Sequence, residues 1–280
     1  MGNIQIITDS MTDIPQELQQ AYDIKTIPLS ISFGDTSFLD GVELKADEFY
    51  RKIESASVLP HTAQVTPIQF QEAFEQALKE GKQVLCINAS SRASGTHQSA
   101  LIAKDTIGSN DIQVVDTMGL CMGAGLTVIE TARFVESGGS LDESAAFARD
   151  YATHIKHVFT VDTITYLQKG GRIAPSKAIV ANILNIKPIL TVKNGLVEPL
   201  DKVRGSKKVI DKMVELTKMS TSDMNNRTIA IAHANDHHRA EALKMRIIKD
   251  LQPKEIIMSK IGGTIGTHTG PGTLAIFFHE

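Results

Sequence analysis

Residues 84–100 constrain the fold more than any other stretch. Val84-Leu85-Cys86-Ile87 is a short apolar run of the kind that forms a buried strand. The chain then passes through Asn88-Ala89-Ser90-Ser91-Arg92-Ala93-Ser94-Gly95, a loop of small and hydroxyl residues. An apolar helical pattern begins at Ala100, Leu101 and Ala103. A strand feeding a short loop that feeds a helix is the unit of a parallel α/β sheet. It is also an anion site in outline, because the first helical N–H groups lack partners and the helix dipole favours negative charge there. The same residues equally suit a hydroxyl-rich loop in which Ser94 or Thr96 caps the helix.

The arrangement recurs. Ile4-Gln5-Ile6-Ile7-Thr8 predicts a first strand ending in Asp9-Ser10, ahead of a helix that starts near Pro15. Ile112–Val115 predicts another, ending at Asp116-Thr117. Thr66-Pro67 marks a helix start, with Thr66 as cap and Pro67 in the first turn. Ile27–Phe33 alternates with period two and predicts one strand, whereas Leu59–Val65 has no strong periodicity and predicts a loop. After His157 the pattern changes. Lys193-Asn194-Gly195 between two apolar runs predicts a tight hairpin. Residues 178–184 predict a short helix, 237–251 a longer one and Leu274–Phe278 a last strand. The expected architecture is a two-domain α/β fold. Residues 1–156 form an N-terminal parallel-sheet, Rossmann-like domain, and 157–280 a C-terminal α/β domain with a mixed sheet. Two domains suit a chain of 280 residues.

Composition excludes several functions. A net charge of −3 with no long basic run argues against a nucleic-acid surface or a polybasic membrane patch. No apolar run reaches membrane-spanning length, and no signal peptide precedes the first strand. Cys86 and Cys121 do not make a disulfide framework; small core residues in a reducing cytoplasm are the expectation.

The sharpest chemical signal is Gly266-Thr267-His268-Thr269-Gly270-Pro271-Gly272. So much Gly and Pro predicts turn geometry and close approach to a ligand, with one imidazole between two threonines. Thr62, Ser94 and His268 together supply three hydrogen-bond donors for one carboxylate or phosphate, assisted by helix N–H groups. Enzymatic signatures are weak. Ser94 lacks a nucleophile elbow, no phosphate-binding P-loop is present, and Gly123-Ala124-Gly125 is not followed by the third glycine of a dinucleotide fingerprint. His233 and His237-His238 have metal-like spacing, but a strand-end His beside a solvated helix start is the favoured reading, so no metal is expected. Lys169-Gly170-Gly171-Arg172-Ile173 presents two cations across a Gly turn, which alone reads as a solvated loop.

Taken together the motifs resemble the DegV family of bacterial fatty-acid-binding proteins, over the whole length of the chain. In order they are Thr8-Asp9-Ser10, Thr62-Ala63-Gln64-Val65-Thr66-Pro67, Ser90-Ser91 with Ser94-Gly95-Thr96, Asp116-Thr117, Lys169 to Ile173 and Gly266 to Gly272. Ala63 stands where the family has Ser and Val65 where it has Pro, so one hydroxyl near Thr62 is missing. The resemblance implies a long-chain fatty acid held between two α/β domains, with no cofactor. It implies that Thr62, Ser94 and His268 hold the carboxylate, with Gly95, Thr96, Thr267 and Thr269 in the supporting loops. It also implies a separate ATP-dependent fatty acid kinase that converts the bound acid to an acyl phosphate, with Arg172 facing that partner. On this reading the chain is a cytoplasmic, ligand-presenting subunit with no catalytic residue of its own, touching a membrane surface transiently to exchange lipid. Two other readings use the same residues: a stand-alone enzyme acting on a small anionic substrate through Ser94 or His268, and a lipid-sensing regulatory module.

Overall fold

The computed structural model describes residues 3–174, 186–221 and 224–280. The helix expected over 178–184 lies outside them. In chain order the first half runs β1 (Ile4–Asp9), α1 (Gln16–Ala21), β2 (Lys25–Ile27), β3 (Ser30–Phe33), β4 (Thr36–Leu39), α2 (Ala46–Ser55), β5 (His61–Ala63) and α3 (Pro67–Lys79). It continues through β6 (Gln83–Asn88), α4 (Thr96–Ile107), β7 (Ile112–Asp116), α5 (Met122–Glu136) and α6 (Leu141–Thr153). The second half runs β8 (Ile155–Thr160), α7 (Thr165–Gly170), β9 (Ile186–Lys193), β10 (Leu196–Arg204), α8 (Val209–Ser220) and β11 (Thr228–His233). It ends with α9 (His237–Leu251), β12 (Glu255–Lys260), α10 (Gly263–Thr269) and β13 (Leu274–His279).

Among the described residues these strands make a parallel sheet in the order β2-β1-β6-β7, a mixed sheet in the order β10-β9-β8-β13-β11-β12 and a small antiparallel sheet β4-β3-β5. The α/β class expected from the alternation of strands and helices is what the chain adopts. The second sheet opens at Ile155, directly after α6.

Local chemistry explains the elements. Thr66 and Gln69 exchange side-chain and backbone bonds in a capping box ahead of Pro67, which fixes the start of α3. Asn194 (φ 49°) and Gly195 (φ 78°) take the left-handed backbone that a two-residue hairpin needs, and β9 and β10 pair antiparallel on either side. Two expectations fail for physical reasons. Ile27–Phe33 is not one strand: Pro28 carries no N–H for a ladder, and the chain changes sheets there, from β2 to β3. Leu59–Val65 is not all loop: it contains β5, whose three residues pair with β3 around Ile31 and Thr62. Three residues are too few to display a period.

The mixed sheet is buried on both faces, and β13 shows how. Leu274, Ile276 and Phe278 pack with Val209 and Met213 of α8 and Leu243 and Ile247 of α9. The alternate residues Ala275 and Phe277 face the other way and join the main core, which runs on into Ile6, Leu29 and Phe49 of the first half. A continuous apolar layer therefore separates the two large sheets, and the candidate site is a gap in it.

Candidate functional site

A cavity of about 360 Å³ lies between the sheets, within the size range of small-molecule sites. It is lined by Phe159, Ala275 and Phe277 of β8 and β13, by Val192 and Val197 of the β9–β10 hairpin, and by Met11 and Leu29 from the first half. The hairpin is tied down at its tip, where Ser90 Oγ donates to the Gly195 carbonyl at 2.8 Å.

Thr62, Ser94, Gly95, Arg172, His268 and Thr269 all line this cavity. Thr62 Oγ1 and His268 Nε2 are 3.0 Å apart. Strand β5 supplies the first and α10 the second. Ser94 Oγ accepts the Thr96 N–H at 3.3 Å and lies 2.9 Å from Thr96 Oγ1. Neither hydroxyl caps α4 in the way the sequence allows; Gly95 is the cap residue and makes no side-chain cap bond. Thr96 is buried behind the loop, where its Oγ1 accepts the Val65 N–H at 3.4 Å. Its role is to join the β5–α3 connection to the Ser94 loop, not to line the cavity.

The segment around His268 differs from expectation. Residues 263–269 are helical, and the turn is confined to Gly270 and Gly272, both with φ 77°. The earlier glycines serve packing. A Cβ on Gly266 would stand 2.7 Å from both Phe49 and Tyr50, and one on Gly263 would strike Ile31, so α10 can approach α2 only without side chains there. Thr267 is buried with its hydroxyl donating to the Gly263 carbonyl at 2.8 Å, and it does not line the cavity. Thr269 does line it, while its hydroxyl donates to the Ile265 carbonyl at 3.2 Å.

Residues far away in sequence hold the start of α10. Asp40 accepts the N–H groups of Gly263 and Thr264 at 3.1 and 3.2 Å. Asp13 Oδ1 accepts the Gly262 N–H at 2.8 Å, and Tyr50 donates its hydroxyl to the Ile261 carbonyl at 3.0 Å. Among the described residues Asp13 Oδ2 is buried without a hydrogen-bond partner. Burial pushes the Asp13 carboxyl up to about 8, and Asp40 moves in the same direction for the same reason. No local pattern announces these residues. They act by contact across more than two hundred positions.

The head of the cavity is neutral apart from one arginine. Burial, with the Arg172 charge nearby, lowers the His268 imidazole to about 4, so it is uncharged at neutral pH. Its Nδ1 is buried without a partner among the described residues, against Gly170 of α7, where a Cβ would collide with it. Arg172 folds back along the cavity wall instead of projecting outward. Its Nε donates to the Ala93 carbonyl at 3.2 Å and its Nη1 to the Gly170 carbonyl at 2.6 Å. The guanidinium thus bridges the Ser94 loop to the helix beside His268. Gln64, not singled out by its type, completes the floor of the head: its Nε2 donates to Ser99 Oγ at 3.0 Å, and its amide lies where a Cβ of Gly95 would be.

This arrangement suits a ligand with a small hydrogen-bonding head and a long apolar body. It does not pair His268 with Ser94 as base and nucleophile, since the nearest partner of Nε2 is Thr62 and that of Ser94 Oγ is Thr96. His233 Nδ1 accepts the Asp236 N–H at 3.2 Å, and among the described residues no three His, Cys, Asp or Glu side chains gather as a metal site. Among the described residues no helix is long and apolar enough to cross a membrane.

Known proteins share this fold and length. The model of the DegV family matches residues 3–280. A DegV domain-containing protein of Caldanaerobacter subterraneus subsp. tengcongensis is 35% identical, with all of both chains covered. The solved structure of a DegV family protein from Thermus thermophilus, described as binding fatty acid, superposes with a TM-score of 0.93 at 29% identity, all of both chains being covered. The structure of DegV from Bacillus subtilis, described as a fatty acid binding protein, gives 0.89 at 29% identity, again over all of both chains. With its motifs in order, its paired sheets and this match over nearly every residue, the chain belongs to the DegV family.

Proposed function

We propose that the protein binds one long-chain fatty acid in the cavity between the sheets, with the carboxylate at Thr62, Ser94 and His268. The observation that carries this is the cavity itself: apolar walls from both halves of the chain, with the Thr62–His268 pair in its polar lining. The fatty-acid-binding descriptions of the Thermus and Bacillus proteins support it. The tail supplies most of the affinity. Burying a sixteen-carbon chain at ~0.8 kcal/mol per methylene is worth at most about 12 kcal/mol. Ordering costs bring that down to about 5 to 6 kcal/mol at ~0.3 kcal/mol per heavy atom. The polar groups orient the head and satisfy a carboxylate that would be costly to bury alone.

The family resemblance supports a finer reading. The bound acid is presented to a separate ATP-dependent fatty acid kinase and leaves as an acyl phosphate, the chain acting as a cytoplasmic binding subunit that meets membrane surfaces transiently. Arg172, a fork-shaped donor at the head of the cavity, suits the transferring phosphoryl group better than a lysine would. Mass spectrometry of an organic extract of the purified protein tests the binding reading. One long-chain acid per chain is expected, and a protein that neither carries nor takes up any long-chain acid would refute it.

A further inference from the structure

Helix α10 lies against one face of the small sheet, which holds it near both ends. In the register of that sheet Phe38, Ile31 and Thr62 stand side by side on β4, β3 and β5, so their side chains share a face. Asp40 extends the ladder just past β4, donating its N–H to the Leu29 carbonyl at 2.9 Å. Two residues beyond Phe38, it is on that same face. The sheet therefore meets α10 at three levels. Asp40 Oδ1 and Oδ2 accept the Gly263 and Thr264 N–H groups at 3.1 and 3.2 Å, in the first turn. Ile31 packs on Gly263, where a Cβ would stand 2.4 Å from it. Thr62 meets His268 at 3.0 Å, one residue before the helix ends.

The helix has no means of its own to hold its start. Gly262 stands at the cap position and offers no side chain to the N–H groups that follow it. Asp40, 5% exposed, does that work from another part of the chain. Thr264 and His268 are four residues apart, about one turn and ~6 Å of helix at ~1.5 Å per residue. A helix this short moves as one piece, so a shift of its first turn displaces the imidazole.

We propose that Asp40 is the positioning residue of the carboxylate site. It fixes the first turn of α10 to the sheet that carries Thr62, and so sets the spacing at which Thr62 and His268 address one carboxylate. This rests on the fatty-acid reading of the same cavity and names the residue that tunes its head. Asp40 touches no ligand in this role; it acts through His268.

The test is titration of delipidated full-length protein with hexadecanoic acid and its methyl ester. Asp40→Asn keeps one acceptor oxygen and turns an amide group towards the other N–H, a donor against a donor. It should weaken the acid about fivefold, equivalent to about 1 kcal/mol, and the ester less than about twofold. In a His268→Ala background the same change should cost the acid less than about twofold, since no imidazole is left to place. A merely structural role would weaken acid and ester alike and would do so in both backgrounds. Either of those results, or an unchanged affinity for the acid, overturns the inference. Amide hydrogen exchange on the wild-type protein decides the matter even where Asp40→Asn does not fold. By reciprocity, saturating acid should slow exchange at Gly263 and Thr264 more than saturating ester does. Equal protection by the two overturns the inference while leaving fatty-acid binding in place. Failure of the acid to bind overturns both.

Discussion

Thr62 Oγ1 and His268 Nε2 meet at 3.0 Å although 206 positions separate them in the chain. One is on a three-residue strand of the small antiparallel sheet, the other on a helix that follows the last parallel crossover. Their contact joins the two halves of the chain at the lining of the cavity between the two large sheets.

In the proposed binding mode the carboxylate sits at that contact. Removing a donor from a buried charged acceptor costs roughly 1 to 3 kcal/mol. Thr62→Ala, Ser94→Ala and His268→Ala should therefore each weaken fatty-acid binding about fivefold or more in a direct titration. Wild-type affinity in all three would place the carboxylate elsewhere.

Gly170 provides a steric control on the same geometry. Its missing side chain leaves room for His268 Nδ1, and Gly170 is at the last helical position of α7. Gly170→Ala should displace the imidazole from Thr62 and weaken binding, while far-ultraviolet circular dichroism stays that of the wild type. Unchanged affinity in a folded Gly170→Ala protein would show that the position of His268 is not critical.

Arg172 bridges the Ala93 and Gly170 carbonyls with two separate nitrogens, which an ammonium on a flexible stem cannot reproduce with the same geometry. In a coupled assay with the proposed kinase partner, Arg172→Lys should lower acyl phosphate formation by more than it lowers fatty-acid affinity. Equal losses in the two measurements would make the arginine a ligand-binding group and nothing more.

Stability should depend on pH through Asp13. Its carboxyl titrates near 8 in the fold against 3.8 for an unperturbed group, so the protonated form belongs to the folded state. The stabilisation is complete below pH 3.8 and is lost as the pH rises through 8, with a slope of at most about 1.4 kcal/mol per pH unit. His157 and His268 have the opposite sign, since their folded values near 4 lie below 6.5; their contribution is present above pH 6.5 and lost towards pH 4. Asp9, raised to about 6, acts below that window. Between pH 6.5 and 8 the melting temperature should fall, and Asp13→Asn should reduce the slope, Asp40 being shifted in the same direction. A wild-type melting temperature constant across that interval would contradict the burial of a protonated Asp13.

The parts of this fold that sequence displays are those with a local cause. The Thr66–Gln69 box ahead of Pro67, the Asn194-Gly195 turn and the apolar run of β13 each state their structure within a few residues. Thr62, Ser94 and His268 were legible as hydroxyl and imidazole donors on separate segments, and the fold brings all three to one cavity. Helix α10 was not legible, because glycines that read as a turn are there to let Phe49 and Tyr50 pack closely. Asp13 and Asp40, which anchor that helix, and His157, which is buried at the cavity wall, gave no signal at all. Their meaning lies in partners supplied by distant strands and helices.

The most direct test of the account is a paired titration of the delipidated protein with a long-chain fatty acid and its methyl ester. Both share the apolar body, and only the acid offers a carboxylate to Thr62, Ser94 and His268. The acid should saturate at one molecule per chain, and the ester should bind at least tenfold more weakly. An ester that binds as tightly as the acid, or an acid that does not bind, would contradict it.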